Sequence, residues 1–247
     1  MLKTLRVMTL ICATGFIVSA CSTVERNADT PDGAFAIAEE FEKSERYEEA
    51  IRRYTEIKNK FPYSNFATKS ELALADVYYK QESYAEAQVA YQMFKDLHPT
   101  SPQADYVQFR LGMSYFNQLP SSVDRDLSLA NDAILNLTDL IKKYPNSQYQ
   151  TEAKEKRSAV IKMLAEKEEY IADFYFKREI YSSAIGRYEG LYNNYKGMGF
   201  DAKALSRIAI SAKKIGDEPK ANKYFALLEK NFPGSSELKS AEKEMKK

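Results

Sequence analysis

The stretch Ala87-Gln88-Val89-Ala90-Tyr91-Gln92-Met93-Phe94-Lys95-Asp96-Leu97-His98-Pro99 decides the fold. A small residue is followed four positions later by a ring, three later by a second apolar residue, and five later by proline. Offsets of three and four return to the same side of a helix, so Ala87, Tyr91 and Phe94 share one face. Pro99 ends the helix, because it lacks an N–H and clashes with the preceding turn. The same offsets recur at Ala50, Tyr54, Ile57 and Pro62, at Ala133, Leu137, Leu140 and Pro145, and at Ala221, Phe225, Leu228 and Pro233. A fifth set, Ala184, Tyr188 and Leu191, carries Lys196 where the others have proline. Twelve residues before four of these five alanines stands another alanine: Ala38, Ala75, Ala172 and Ala209.

Antiparallel helices approach closely only where side chains are small, so alanines paired in this way mark the crossing points of helix hairpins, with large rings filling the space beside them. One such hairpin cannot bury its apolar face alone, and a stack of them can. The pattern resembles the tetratricopeptide repeat. It implies an all-α fold: a right-handed superhelical array of five tetratricopeptide-like hairpins with a long connecting helix and a C-terminal capping helix. The key alanines are spaced 37, 46, 51 and 37 residues apart, so the middle of the array departs from regularity. The third repeat places its first helix around Leu111, Gly112 and Tyr115, then adds nine residues whose composition, from Leu119-Pro120 to Asp126, is that of a loop. A run without Gly or Pro from about Gln148 to Lys177 predicts a helix of about 45 Å, expected to project from the array and join its two halves. A last helix is expected over about Ser236 to Lys246.

The first twenty residues differ from all that follow. Lys3 and Arg6 precede an uncharged run, Val7 to Ala20, that ends in Val18-Ser19-Ala20-Cys21. A positive start, a short apolar run and small residues before a cut site describe a secretory signal peptide. The run is short for a membrane span, which needs roughly 20 predominantly apolar residues. An aliphatic residue, two small ones and then Cys resembles the lipobox of bacterial lipoproteins. That resemblance implies a cleaved signal peptide over residues 1–20, lipid on Cys21, and a flexible tether over residues 21–32. Ser22 resembles the residue that directs enteric lipoproteins to the outer membrane. The only other cysteine, Cys12, leaves with the leader, so the mature chain has neither disulfide nor thiol chemistry. Each methylene buried in lipid contributes about 0.8 kcal/mol, so lipid and not charge is the expected anchor.

Other function classes find little support. A formal net charge of +1 gives no reason to expect nucleic acid. The sole histidine, His98, sits before Pro99 in a turn. There is no metal-spaced cluster and no phosphate-binding glycine loop; Gly197-Met198-Gly199 reads as an inter-repeat turn. We expect no catalytic residue, no metal and no cofactor.

Several stretches that the repeat does not demand are similar to the BamD family, the tetratricopeptide lipoproteins of the outer-membrane β-barrel assembly machinery. They are Phe61-Pro62-Tyr63-Ser64, His98-Pro99-Thr100 with Asp105-Tyr106-Val107, Asp124-Arg125-Asp126 at the start of the third repeat's second helix, Tyr144-Pro145-Asn146-Ser147-Gln148-Tyr149, Glu169-Tyr170, Tyr175 and Arg187-Tyr188-Glu189-Gly190. The resemblance implies a non-enzymatic scaffold on the periplasmic face of the outer membrane. In that family the scaffold docks on the POTRA domains of BamA, beside other subunits, and receives unfolded β-barrel proteins by their C-terminal segment. It further implies that residues 33–147 form the substrate-side half, that residues 148–247 face BamA, and that Arg187 lies at that contact. Arg187 also fits a solvated helix face. Another periplasmic tetratricopeptide lipoprotein, serving peptidoglycan or envelope maintenance, would share the generic repeat residues.

In such repeats the first helices line the concave groove. The positions flanking their packed residues are Phe35, Leu72, Tyr79, Tyr106, Phe109, Met113 and Phe116. An aromatic groove suits barrel segments, whose strands alternate apolar and polar residues and carry aromatics at their ends. The same residues, Phe109 and Phe116 above all, also fit ordinary inter-helix core.

Overall fold

The computed structural model describes residues 27–246. The leader, Cys21 and Ser22 lie outside the described residues. Eleven helices follow one another: α1 (Pro31–Lys43), α2 (Tyr47–Lys60), α3 (Asn65–Lys80), α4 (Tyr84–Leu97), α5 (Ala104–Asn117), α6 (Ala130–Lys143), α7 (Gln150–Lys177), α8 (Tyr181–Asn194), α9 (Asp201–Lys214), α10 (Glu218–Asn231) and α11 (Ser236–Met245). Each packs on its predecessor, except that α11 lies mainly on α9; α1 also touches α3, and α5 touches α7. The hairpins α1/α2, α3/α4, α5/α6, α7/α8 and α9/α10 form the right-handed superhelical array, with α11 as its cap.

The alanines sit where the sequence pattern puts them: Ala38, Ala50, Ala75, Ala87, Ala133, Ala172, Ala184, Ala209 and Ala221 have no exposed surface. In the third repeat Gly112 stands in for the missing alanine of the first helix. A Cβ there would come within 2.9 Å of the Leu137 side chain, so the isobutyl group of α6 fills the space an alanine methyl would take. The rings Tyr54, Tyr91 and Tyr188 are fully buried beside these crossings. Phe225 is the exception: it is only partly buried, and Tyr224 is the more enclosed ring. The cause is the end of the array, because α11 packs on α9 and leaves α10 without the full cover a following hairpin gives.

Four hairpins share one turn. Glu45, Glu82, Glu179 and Gly216 all have positive φ (58°, 62°, 60° and 78°), and each lies seven residues after a crossing alanine. The next residue's N–H then bonds back five positions, Arg46 to Phe41, Ser83 to Tyr78, Ile180 to Tyr175 and Asp217 to Ala212, at 2.9–3.0 Å. This closes the first helix with its carbonyls satisfied.

Three expectations change. Residues 27–32, expected as part of a flexible tether, are held in place; residues 21–26 of that stretch lie outside the described residues. The Thr30 hydroxyl donates to the Asn27 carbonyl (3.0 Å) and accepts from the Gly33 N–H (3.3 Å), and Asp29 pairs with Lys60 at 2.8 Å. Gly33 is required there, since an added Cβ would run into the Asn27 carbonyl. Asp124-Arg125-Asp126 does not open a helix, and α6 begins at Ala130. Instead Asp126 accepts from the Ser128 N–H (3.0 Å), Leu127 drops into the core, and Lys167 of α7 donates to the Arg125 carbonyl (2.6 Å). Finally, α7 does not project. Val160 of its first half packs with Ala130 and Ala133, and Ala172 of its second half packs with Ala184 and Tyr188. One helix closes the third repeat and opens the fourth.

Candidate functional site

The first helices of the hairpins, α3, α5 and α7, bring five of the expected groove residues into one aromatic strip. Tyr79 meets Tyr84 and Tyr91 edge-on, with centroids 5.2 and 6.4 Å apart. The Arg110 guanidinium lies 4.5 Å above its ring, and the Asn117 amide donates to its hydroxyl at 2.8 Å. The Tyr106 ring lies 5.8 Å from Tyr149, and Phe109 stacks on Tyr149 at 4.7 Å with planes 10° apart. Met113 joins this cluster, and the Lys156 ammonium sits 4.9 Å over the Phe116 ring.

Burial divides the expected residues. Leu72, Phe109 and Met113 are 4–8% exposed and belong to the core between helices, so they offer no side chain to a peptide in this conformation. Phe35 packs on Tyr54 and Phe66 (5.4 and 5.5 Å), away from the strip. Tyr79, Tyr106 and Phe116 are part-buried and keep one side open. The cause is that a first helix touches both its own partner and the next hairpin, leaving a narrow accessible stripe.

Beneath the strip lies a carboxylate that sequence reading passed over. Asp76 accepts from both the Tyr91 and Tyr106 hydroxyls at 2.6 Å, and the Arg110 Nε–H donates to the Tyr106 oxygen at 3.2 Å. Burial raises the Asp76 carboxyl above its usual range, although both tyrosines and Arg110 pull the other way. Burial likewise pushes the Tyr91 hydroxyl far above its ordinary value, so it stays a donor. The motif repeats along the array. Tyr54 donates to Glu42 (2.6 Å), which Lys80 also meets at 2.6 Å. Tyr188 donates to Asp173, which Lys203 meets at 2.7 Å. Asp76 and Asp173 each follow a crossing alanine directly, and that spacing was the available signal.

Arg187 is exposed on α8 and pairs across to Glu168 of α7 at 3.2 Å. Its neighbour Glu189 is engaged elsewhere, accepting from the Tyr224 hydroxyl at 2.9 Å and meeting Lys220 at 3.3 Å. Burial and Glu189 together push the Tyr224 hydroxyl up to about 12. His98 ends α4, bonded to the Glu71 carboxylate at 2.6 Å.

A second surface was not anticipated. Between α2 and α4, floored by Leu74 and Tyr78 of α3, runs an open groove of about 530 Å³, mainly apolar but with Lys58, Glu71 and Glu86 also in its lining. Its α4 wall is Val89, Met93 and Leu97, spaced four apart and 52–60% exposed. The corresponding positions of α2 are Arg52, Glu56 and Lys60. Among the described residues no helix is long and apolar enough to cross a membrane, and no group of three or more His, Cys, Asp or Glu side chains is placed to hold a metal ion.

The profile of a family described as "YfiO: Outer membrane lipoprotein" matches residues 27–227. A protein of Caulobacter vibrioides named outer membrane protein assembly factor BamD is 31% identical over 188 residues, 76% of this chain and 61% of that one. The protein of the same name from Neisseria meningitidis serogroup A is 28% identical over 249 residues, covering 94% of this chain and 93% of its own. Among solved structures, the TPR2AB-domain:pHSP90 complex of yeast Sti1 aligns over 89% of this chain and 86% of its own, at 15% identity and a TM-score of 0.47. YrrB, described as a TPR protein with an unusual peptide-binding site, aligns over 89% and 95% at 14% identity and a TM-score of 0.39.

Proposed function

The chain belongs to the YfiO family of outer membrane lipoproteins, and from that membership we propose that it is a lipid-anchored scaffold for the assembly of outer-membrane β-barrel proteins. The observation that carries the reading is the match over residues 27–227, which takes in the first four hairpins, α9 and most of α10, together with relatives named for that role. Cys21 bears the lipid, Ser22 directs it to the outer membrane, and the array lies on the periplasmic face.

The two halves divide the work. The strip of Tyr79, Tyr106 and Phe116, with Arg110 beside it, receives the C-terminal segment of an unfolded barrel protein. Rings offer large contact area for few torsions, and a guanidinium beside them suits a chain that ends in a carboxylate. Residues 148–247 hold the POTRA domains of BamA, with Arg187 at the contact. An exposed pair such as Arg187–Glu168 contributes little to folding, so Arg187 is free to exchange Glu168 for an acidic partner.

Tyr106 also anchors Asp76, so its removal confounds binding with folding; Tyr79→Ala with Phe116→Ala is the cleaner test. The expected result is weaker binding of a barrel C-terminal peptide in a fluorescence titration, with unchanged helicity. Unchanged affinity removes the strip from the reading. Arg187→Glu is expected to lose the POTRA domains in a pull-down while still binding the peptide. Retained capture removes Arg187.

A further inference from the structure

We infer that the outer face of α4 and the groove beside it rest on the bilayer surface, so that the protein is held to the membrane by a protein face as well as by its lipid. The inference rests on the anchor at Cys21 proposed above.

Asp29 is pinned to Lys60, the last residue of α2, and Asn27 is tied into the Thr30 cap. The N-terminal chain therefore leaves the array at the end where α2 stops. Successive helices reverse direction, so α4 stops at the same end, with Leu97 as its last residue. Six residue steps separate Cys21 from Asn27, which reach at most about 20 Å fully extended. A bilayer that holds the lipid on Cys21 lies within that distance of Asn27, at the end of the array where α2 and α4 both stop.

The side chains found there suit it. Val89, Met93 and Leu97 form an inclined apolar row along about 12 Å of α4, more than half exposed. Tyr63, in the turn after α2, is fully exposed, and tyrosine favours the headgroup level because its ring is apolar and its hydroxyl wet. Lys95 lies in the last turn of α4, where its long stem lets the ammonium reach headgroups. A helix with an apolar line on one side lies in the interface plane, with that line sunk roughly 5–10 Å. The matching line of α2 is charged, with Arg52 and Glu56 paired to each other at 3.3 Å. The apolar line is thus no requirement of the repeat.

The chain has no tryptophan, so single reporters are unambiguous. The mature lipidated protein carrying Met93→Trp, Leu97→Trp or Tyr170→Trp would be placed on phosphatidylglycerol and phosphatidylethanolamine vesicles with bromine on the upper acyl carbons. Tyr170 is exposed on α7, within the second half of the array. The expected result is flotation of all three with the vesicles, with a blue shift and loss of emission for Met93→Trp and Leu97→Trp and no change for Tyr170→Trp. Flotation with unchanged Met93→Trp and Leu97→Trp emission overturns the inference and leaves the anchor standing. Change only when the POTRA protein is added assigns the face to a protein partner and also overturns it. Failure to float overturns the anchor, and the inference with it.

Discussion

Asp76 in the second repeat and Asp173 in the fourth occupy the same place, one residue after a crossing alanine and beneath a buried tyrosine, yet their carboxyls shift in opposite directions. At Asp76 burial dominates; its donors are two hydroxyls, and Arg110 reaches it only through Tyr106. At Asp173 burial acts in the same sense, but the Lys203 ammonium and the Tyr188 hydroxyl outweigh it. Position in a repeat therefore decides which atoms meet. The identity of one side chain on the next hairpin decides whether the meeting is an ion pair or a buried acid.

The hardest test of the comparison removes the ring. Tyr91→Ala opens a cavity and withdraws one of Asp76's two donors, and should lower stability by about 3–5 kcal/mol in a denaturant titration. A cost below about 1 kcal/mol would mean that Asp76 is solvated. A gentler test neutralises each carboxylate. Asp173→Asn strips Lys203 of one partner and should lower stability at pH 7 by about 1 kcal/mol, the scale of a part-exposed pair after screening. Asp76→Asn keeps an acceptor oxygen for both tyrosines and removes a buried charge, so its effect at pH 7 should be smaller.

Acidification separates the two more sharply. Asp173 has a lowered folded-state pKa, so its contribution is present above the ordinary carboxylate range and is lost as pH falls through the folded value. The difference between wild type and Asp173→Asn should shrink there. Asp76 has a raised folded-state pKa, so the folded state takes up the proton first and gains stability as pH falls through that value. The difference between wild type and Asp76→Asn should widen in wild type's favour. Parallel pH profiles would abolish the distinction. The smallest effect tests what the two repeats share: Glu82→Gly and Glu179→Gly relieve the same positive-φ turn and should each stabilise by up to about 1 kcal/mol. Unequal gains would show that the turns differ.

The architecture was legible because tetratricopeptide packing constrains few positions tightly. Alanine at a crossing, a ring four later and a proline past the helix end are each forced by close approach or by backbone chemistry. The site was less legible, because the same first helices serve core and groove. Leu72, Phe109 and Met113 have the spacing of groove residues, and a neighbouring hairpin covers them. Asp76 and Arg110 were missed because an isolated Asp or Arg on a helix reads as a solvated face until the facing helix supplies its partners. Asp124 to Asp126 misled in the opposite way: acidic residues suit a helix start, but Leu127 needed to enter the core and delayed α6 to Ala130. The α4 line was readable only against α2, by asking what a repeat position does not require.

The unbroken α7 has a consequence for how the chain comes apart. Arrays of this kind unravel from their ends, each unit coupled only to its neighbours. Here the boundary between the third and fourth units is a single helix whose first half is seated on α6 and whose second half is seated on α8. Neither half can detach without fraying turns that the other half uses. The two halves should therefore melt in a single transition, and a protease should find no cleavable joint between residues 150 and 177.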